Sequence, residues 1–130
     1  MHPELKELKA FHGHLGPYVI VGFRMGILAK KILSPNSHKG LRAEVKTGTK
    51  PPLSCIIDGI QFSSGCTLGK GNISVSDERL PGAVFYNKER KLSISLKDSI
   101  KNKIEKEMNE KDLPFDIFKM SDEELFLIKQ

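Results

Sequence analysis

Two of the four histidines in this chain of 130 residues stand one residue apart, in "FHGHLG". His12 and His14 flank Gly13, so an extended backbone would project both rings to the same side. Neutral imidazole nitrogens are ligands for divalent metals, and such a pair offers two at once. Taken alone, the pair is equally a polar loop whose imidazoles cap backbone groups. Two thiols complete the candidate set, Cys55 and Cys66. His12, His14, Cys55 and Cys66 together have the composition of a two-nitrogen, two-sulfur zinc site. No Cys-x-x-Cys pair or closely spaced second histidine pair occurs, so these ligands have to converge through the fold.

Cys55 follows "PPLS" at the expected start of a helix, where the macrodipole favours thiolate, the form that binds metal or attacks an electrophile. Against this stands the frequency with which free cysteine serves as a small buried apolar residue. Asp58 lies one turn further along the same helix face and could accept a hydrogen bond from a ligating imidazole. The loop "GCTLGKGN" invites a phosphate-loop reading but fails it. One residue is missing before Gly69-Lys70, and Gly71 stands where a Ser or Thr should hold magnesium. What remains is a backbone nest around Lys70 for a small anion, set against a tight loop that merely needs positive φ.

Several elements must carry these residues. Residues 3–10 read as a short amphipathic helix with Pro3 at its start and Leu5 and Leu8 on one side. Pro17 opens a second helix running to Leu33, apolar nearly all round and therefore buried. Gly22 and Gly26 leave a flat strip on it where another backbone could approach. "SPNSHKG" ends it with turn chemistry. "LRAEVKT" alternates as a strand, and "KPPLSCIIDGIQ" reads as a turn into a helix whose Gly59 implies close packing. Strands are expected at "ISVS", "GAVFY" and "KLSISL", the last two joined by "NKER". Ile100, Ile104 and Met108 recur at helical spacing from Asp98. A turn around Pro114 then leads to "SDEELFLIK", where Ser121 and Glu124 make a capping-box pattern. The order is that of one α+β domain over residues 1–130.

Composition narrows the function classes. At 38% hydrophobic and 28% charged residues the chain is an ordinary globular one. Its net charge of +5 sits largely in lysines interleaved with glutamates, as in "KNKIEKEMNEKD", a solvated helix face. With few aromatics and no Trp, that pattern argues against nucleic acid. The acidic start is not a signal peptide, and "YVIVGFRMGILA" is interrupted by Arg24 and too short to span a membrane. A cytoplasmic protein with reduced thiols is the expectation.

"FHGHLGPYVIVGFRMG" together with "CIIDGIQFSSGCTLGKGN", in that order and separation, resembles the FmdE family of formylmethanofuran dehydrogenase proteins. The resemblance implies a thioredoxin-like α+β core with a mixed, about five-stranded sheet flanked by helices. It also implies a metal site around His12, His14, Cys55 and Cys66, with Asp58, Gln61, Lys70 and Asn72 about them. Many relatives carry a cysteine where this chain has Gly16, which removes a third thiol and argues against thiol-redox work. Some carry a C-terminal zinc-finger domain with four cysteines, and no such cysteines follow Cys66 here.

The expected function is binding of zinc or another divalent metal in one-carbon, molybdenum-enzyme metabolism, at a partly open site with Cys55 and Lys70 as catalytic candidates. A non-catalytic accessory or metal-delivery protein, docking on a larger molybdenum or tungsten enzyme, is one alternative. A small-anion-binding module is the other. The apolar Pro17–Leu33 helix suggests a homodimer built on its glycine strip.

Overall fold

A computed structural model describes residues 2–33 and 40–130. The expected turn "SPNSHKG" falls, apart from Gly40, outside the described residues. Among them the chain forms helices α1 (Pro3–His12), α2 (Pro17–Leu33), α3 (Cys55–Ser64), α4 (Asp98–Glu107), α5 (Leu113–Lys119) and α6 (Asp122–Leu125). Its strands are β1 (Arg42–Val45), β2 (Ile73–Val75), β3 (Gly82–Tyr86), β4 (Lys91–Leu96) and β5 (Phe126–Lys129). The five make one mixed sheet in the order β2-β1-β3-β4-β5, with only β1 and β2 parallel. The α+β class and the mixed five-stranded sheet are thus as expected.

A parallel neighbour requires a crossover, and α3 supplies it between β1 and β2. The direction of travel follows. The start of α3 lies beyond the C-terminal end of β1, and its end returns to the N-terminal ends of β1 and β2. Alternation along β1 and β4 turns Ala43, Val45, Leu92, Ile94 and Leu96 inward, where Phe85 of β3 joins them.

Helix α2 is the centre of the core. Its residues from Pro17 to Phe23 are all buried, as are Met25, Gly26, Leu28, Ala29 and Leu33. Its glycine strip is filled within the chain, not by a second copy. A methyl group added at Gly22 would land on the Ile56 carbonyl, and one at Gly26 on the Ser63 hydroxyl. From the other side, a methyl at Gly59 would strike the backbone of Val19 and Phe23. The close packing implied by Gly59 is therefore the α2–α3 contact, and the strip is not available as the homodimer interface it suggested. Arg24, the one charge in the apolar run, donates to the Phe118 carbonyl at 2.8 Å and to Asp122 at 3.0 Å. It ties α2 to the end of α5 and the start of α6.

The C-terminal region departs from expectation. Pro114 is not in a turn but in the first turn of α5, where its missing N–H costs no hydrogen bond. The capping box is present, Ser121 and Glu124 bonding each other's backbone N–H at 3.1 Å. It opens only a four-residue helix, after which "FLIK" becomes β5, pairing Phe126 with Leu96 and Ile128 with Ile94. A free sheet edge at β4 outweighs the helical spacing of that segment.

Candidate metal centre

Helix α1 runs two residues further than expected, so His12 is its last residue rather than part of an extended loop. Gly13 ends the helix in a left-handed conformation, φ 105°, its N–H returning to the Lys9 carbonyl. His14 lies just beyond. The two rings come together all the same, centroids 4.7 Å apart, by way of a helix cap and not through strand alternation.

His12 Nδ1 and Asp58 Oδ2 are 2.6 Å apart. Asp58 stands one turn into α3 from Cys55, so the helical spacing read in the sequence brings carboxylate and imidazole together. A carboxylate on Nδ1 makes that nitrogen the protonated one and leaves Nε2 with its lone pair. That Nε2 is buried and has no hydrogen-bond partner. Gln61 donates to the other Asp58 oxygen at 3.4 Å and accepts from the Leu68 N–H at 3.0 Å, joining the site to the following loop.

Cys55 is the first residue of α3 and half-buried, and it faces two cavities. The smaller, about 260 Å³, is lined by His12, Ser54 and Asp58. The larger, about 370 Å³, is lined by His14, Tyr18, Leu15, Pro17, Met108 and Pro114, with Glu110 and Lys111 also on its wall. Helix-start placement suggested a depressed thiol pKa. Instead, burial pushes the Cys55 thiol up, and the negative charge of Asp58 pushes it further. The buried-thiol alternative is the one that holds. Burial, with the charge of Glu105, likewise raises the Tyr18 hydroxyl. It remains a protonated donor at the pocket wall across the neutral range.

The other predicted residues gather elsewhere. Cys66 follows the end of α3, fully buried, its thiol 3.5 Å from the Leu41 carbonyl. Ten residues of helix separate it from Cys55, roughly 15 Å of axial rise. Burial raises its pKa as well, although the Ser64 hydroxyl and the charges of Lys70 and Arg42 pull the other way. Lys70 lies at this same far end, near Gly65, and so does not stand beside Cys55 as expected. Asn72 is also here, accepting from the Thr67 N–H and donating to the Leu41 carbonyl. The backbone nest proposed around Lys70 is closed, because the Lys70 and Gly71 N–H groups are spent on the Thr67 and Leu68 carbonyls.

The structure therefore brings together His12, His14, Cys55 and Asp58, and separates them from Cys66, Lys70 and Asn72. Among the described residues no group of three or more His, Cys, Asp or Glu is drawn together as a ready metal shell. What does fit a metal is the orphaned Nε2, held in the ligand tautomer, with a second imidazole and a thiol as neighbours. Tyr18, Glu110 and Lys111 were missed in the sequence. Their only signal was position, since the pocket that collects them is made by the fold.

No helix among the described residues is long and apolar enough to cross a membrane. Comparison with known proteins agrees with the geometry. A protein of Archaeoglobus fulgidus described as a "probable S-adenosyl-L-methionine-binding protein" is 32% identical over 79 residues, 56% of this chain. The chain spans only 20% of the length of that curated relative. The fold is similar to the crystal structure of an FmdE-like protein of tungsten formylmethanofuran dehydrogenase from Syntrophus aciditrophicus, with a TM-score of 0.69 at 21% identity. That likeness covers 96% of this chain and 68% of the other. The family described as "FmdE, Molybdenum formylmethanofuran dehydrogenase operon" matches residues 11–127, nearly the whole chain. This chain belongs to the FmdE family.

Proposed function

We propose that the chain is a divalent-metal-binding protein of formylmethanofuran dehydrogenase-associated metabolism, with His12 as the anchoring ligand and His14 and Cys55 as the donors beside it. Zinc suits a set of two imidazoles and a thiolate. The observation that supports this reading is the buried, partnerless Nε2 of His12 with Asp58 on its other nitrogen. A buried polar atom without a partner costs about 1–3 kcal/mol, a penalty that a metal would relieve. Asp58 would fix the His12 ring and raise its basicity. Three protein ligands leave a position open toward the larger cavity, and a bound divalent metal would supply Lewis acidity there. Cys66 and Lys70 take no part in this site. Two free thiols suit a reducing cytoplasm.

Elemental analysis of untagged protein tests the proposal. Stoichiometric metal is expected in the native chain and in Cys66→Ala, with a sharp loss in His12→Gln and Cys55→Ala. A smaller loss of affinity, about tenfold or more, is expected in Asp58→Asn. Unchanged stoichiometry in both His12→Gln and Cys55→Ala, with native circular dichroism, would overturn it.

A second reading draws on the larger cavity. Its apolar wall with Glu110 and Lys111 would suit a small zwitterionic molecule, and S-adenosyl-L-methionine is the candidate named for the Archaeoglobus relative. Saturable binding of that compound to metal-free protein, lost on narrowing the pocket with Gly16→Leu, would favour it.

A further inference from the structure

At the far end of α3 a cavity of about 500 Å³ opens between three segments that the sheet brings together. Gly40, Leu41 and Arg42 lead into β1, Lys70 and Asn72 belong to the loop after α3, and Tyr86, Asn87 and Lys88 end β3 and begin its turn. Arg42 pairs directly across the sheet with Tyr86, so these segments are held in register by backbone bonds. Among the described residues, three cations line the cavity and no carboxylate does. Nor is any of the three in an ion pair with another described residue.

We propose that this cavity is a binding site for a small phosphorylated molecule, its phosphoryl oxygens held by Arg42, Lys70 and Lys88. The frame around the cations is rigid. Asn72 is engaged at both ends of its amide, and Asn87 donates to the Leu33 carbonyl while accepting from the N–H groups of Glu89 and Arg90. Both asparagines thus fasten the walls, leaving the charged side chains to meet a ligand. Arg supplies a planar fork matched to phosphate oxygens, and two lysines add point charge. The nearest opposing charge, Glu44, accepts from the Tyr86 hydroxyl at 2.9 Å, which holds it and presents the Tyr86 ring to the cavity. Counting Glu44, the site keeps a surplus of positive charge, as a phosphate dianion requires. Its volume suits a phosphate with an organic group attached, since small-molecule pockets run from about 300 to 1,000 Å³. Arg42 and Lys70 both act on the buried Cys66 thiol, which places their charges over one spot. Side chains carry out the anion binding here, because the loop's own N–H groups are already spent.

Calorimetric titration of the full chain with inorganic pyrophosphate, in chelator so that metal plays no part, tests the proposal. Saturable binding is expected, weakening as salt rises from about 50 to 200 mM. Arg42→Gln, Lys70→Gln and Lys88→Gln should each weaken it about tenfold. Lys106→Gln, an exposed cation on α4, should leave it unchanged. No saturable binding, or an equal loss in Lys106→Gln, would overturn the site. Tighter binding of citrate than of pyrophosphate would overturn its assignment to phosphate.

Discussion

Cys55 lies under opposing influences, a helix start that favours its thiolate and a burial that, with Asp58, disfavours it. The second prevails, so its reactivity should be that of a thiol titrating above the ordinary range. Alkylation of the metal-free protein should be slow near neutrality and accelerate as pH rises past about 9. Removing the carboxylate charge lowers the thiol pKa, so Asp58→Asn should speed alkylation at pH 8 by roughly two- to fivefold. Peptide mapping by mass spectrometry reads both effects. A neutral-pH rate equal to that of a free thiol would contradict the burial argument. Part of this site was legible beforehand. The three-residue interval from Cys55 to Asp58 fixes a shared helix face, and a cytosolic-type chain with two histidines and two thiols suggests metal. Illegible was which end of α3 each residue would occupy relative to the others, because no local spacing encodes a crossover. Cys66 and Lys70 were drawn into the site by composition alone, and a helix length removes them.

The elements owe their arrangement to one contact above all, α2 against α3 through Gly22, Gly26 and Gly59. Gly59→Ala places a methyl against the backbone of Val19 and Phe23, where no side chain can yield. Overpacking of this kind costs about 1–3 kcal/mol and sometimes more, and a backbone clash belongs at the upper end. Urea denaturation should show a loss of about 3 kcal/mol or greater; a neutral variant would mean that the helices can separate at little cost. Arg24→Met should cost about 2 kcal/mol, since it strips the α5 carbonyls of their donor while preserving the buried stem. Most elements were readable from period and punctuation: α2 from proline to last leucine, β3 and β4 from alternation, α6 from its capping box. The sequence misled at β5. "FLIK" after a helix start continues a plausible helical stripe, and only the unpaired edge of β4 makes a strand the better outcome.

On the scale of the whole molecule, a metal-type site and a basic cavity sit at opposite ends of the sheet, with α3 as the rod between them. Wedging of α3 against α2 governs what either end can sense. A helix whose glycines bear on its neighbour's backbone can neither slide by a fraction of a turn nor rotate without collision, so it has a single seating rather than two. Linkage between distant ligands requires an element with two arrangements for both to bias. This rod has none. Pyrophosphate affinity should therefore be the same, within about twofold, with the His12 site loaded with zinc or stripped of it. A tenfold difference would mean that α3 moves after all. The two ends are then separately addressable: one can be occupied, mutated or inhibited without retuning the other, and a partner enzyme could engage either while the opposite end stays free.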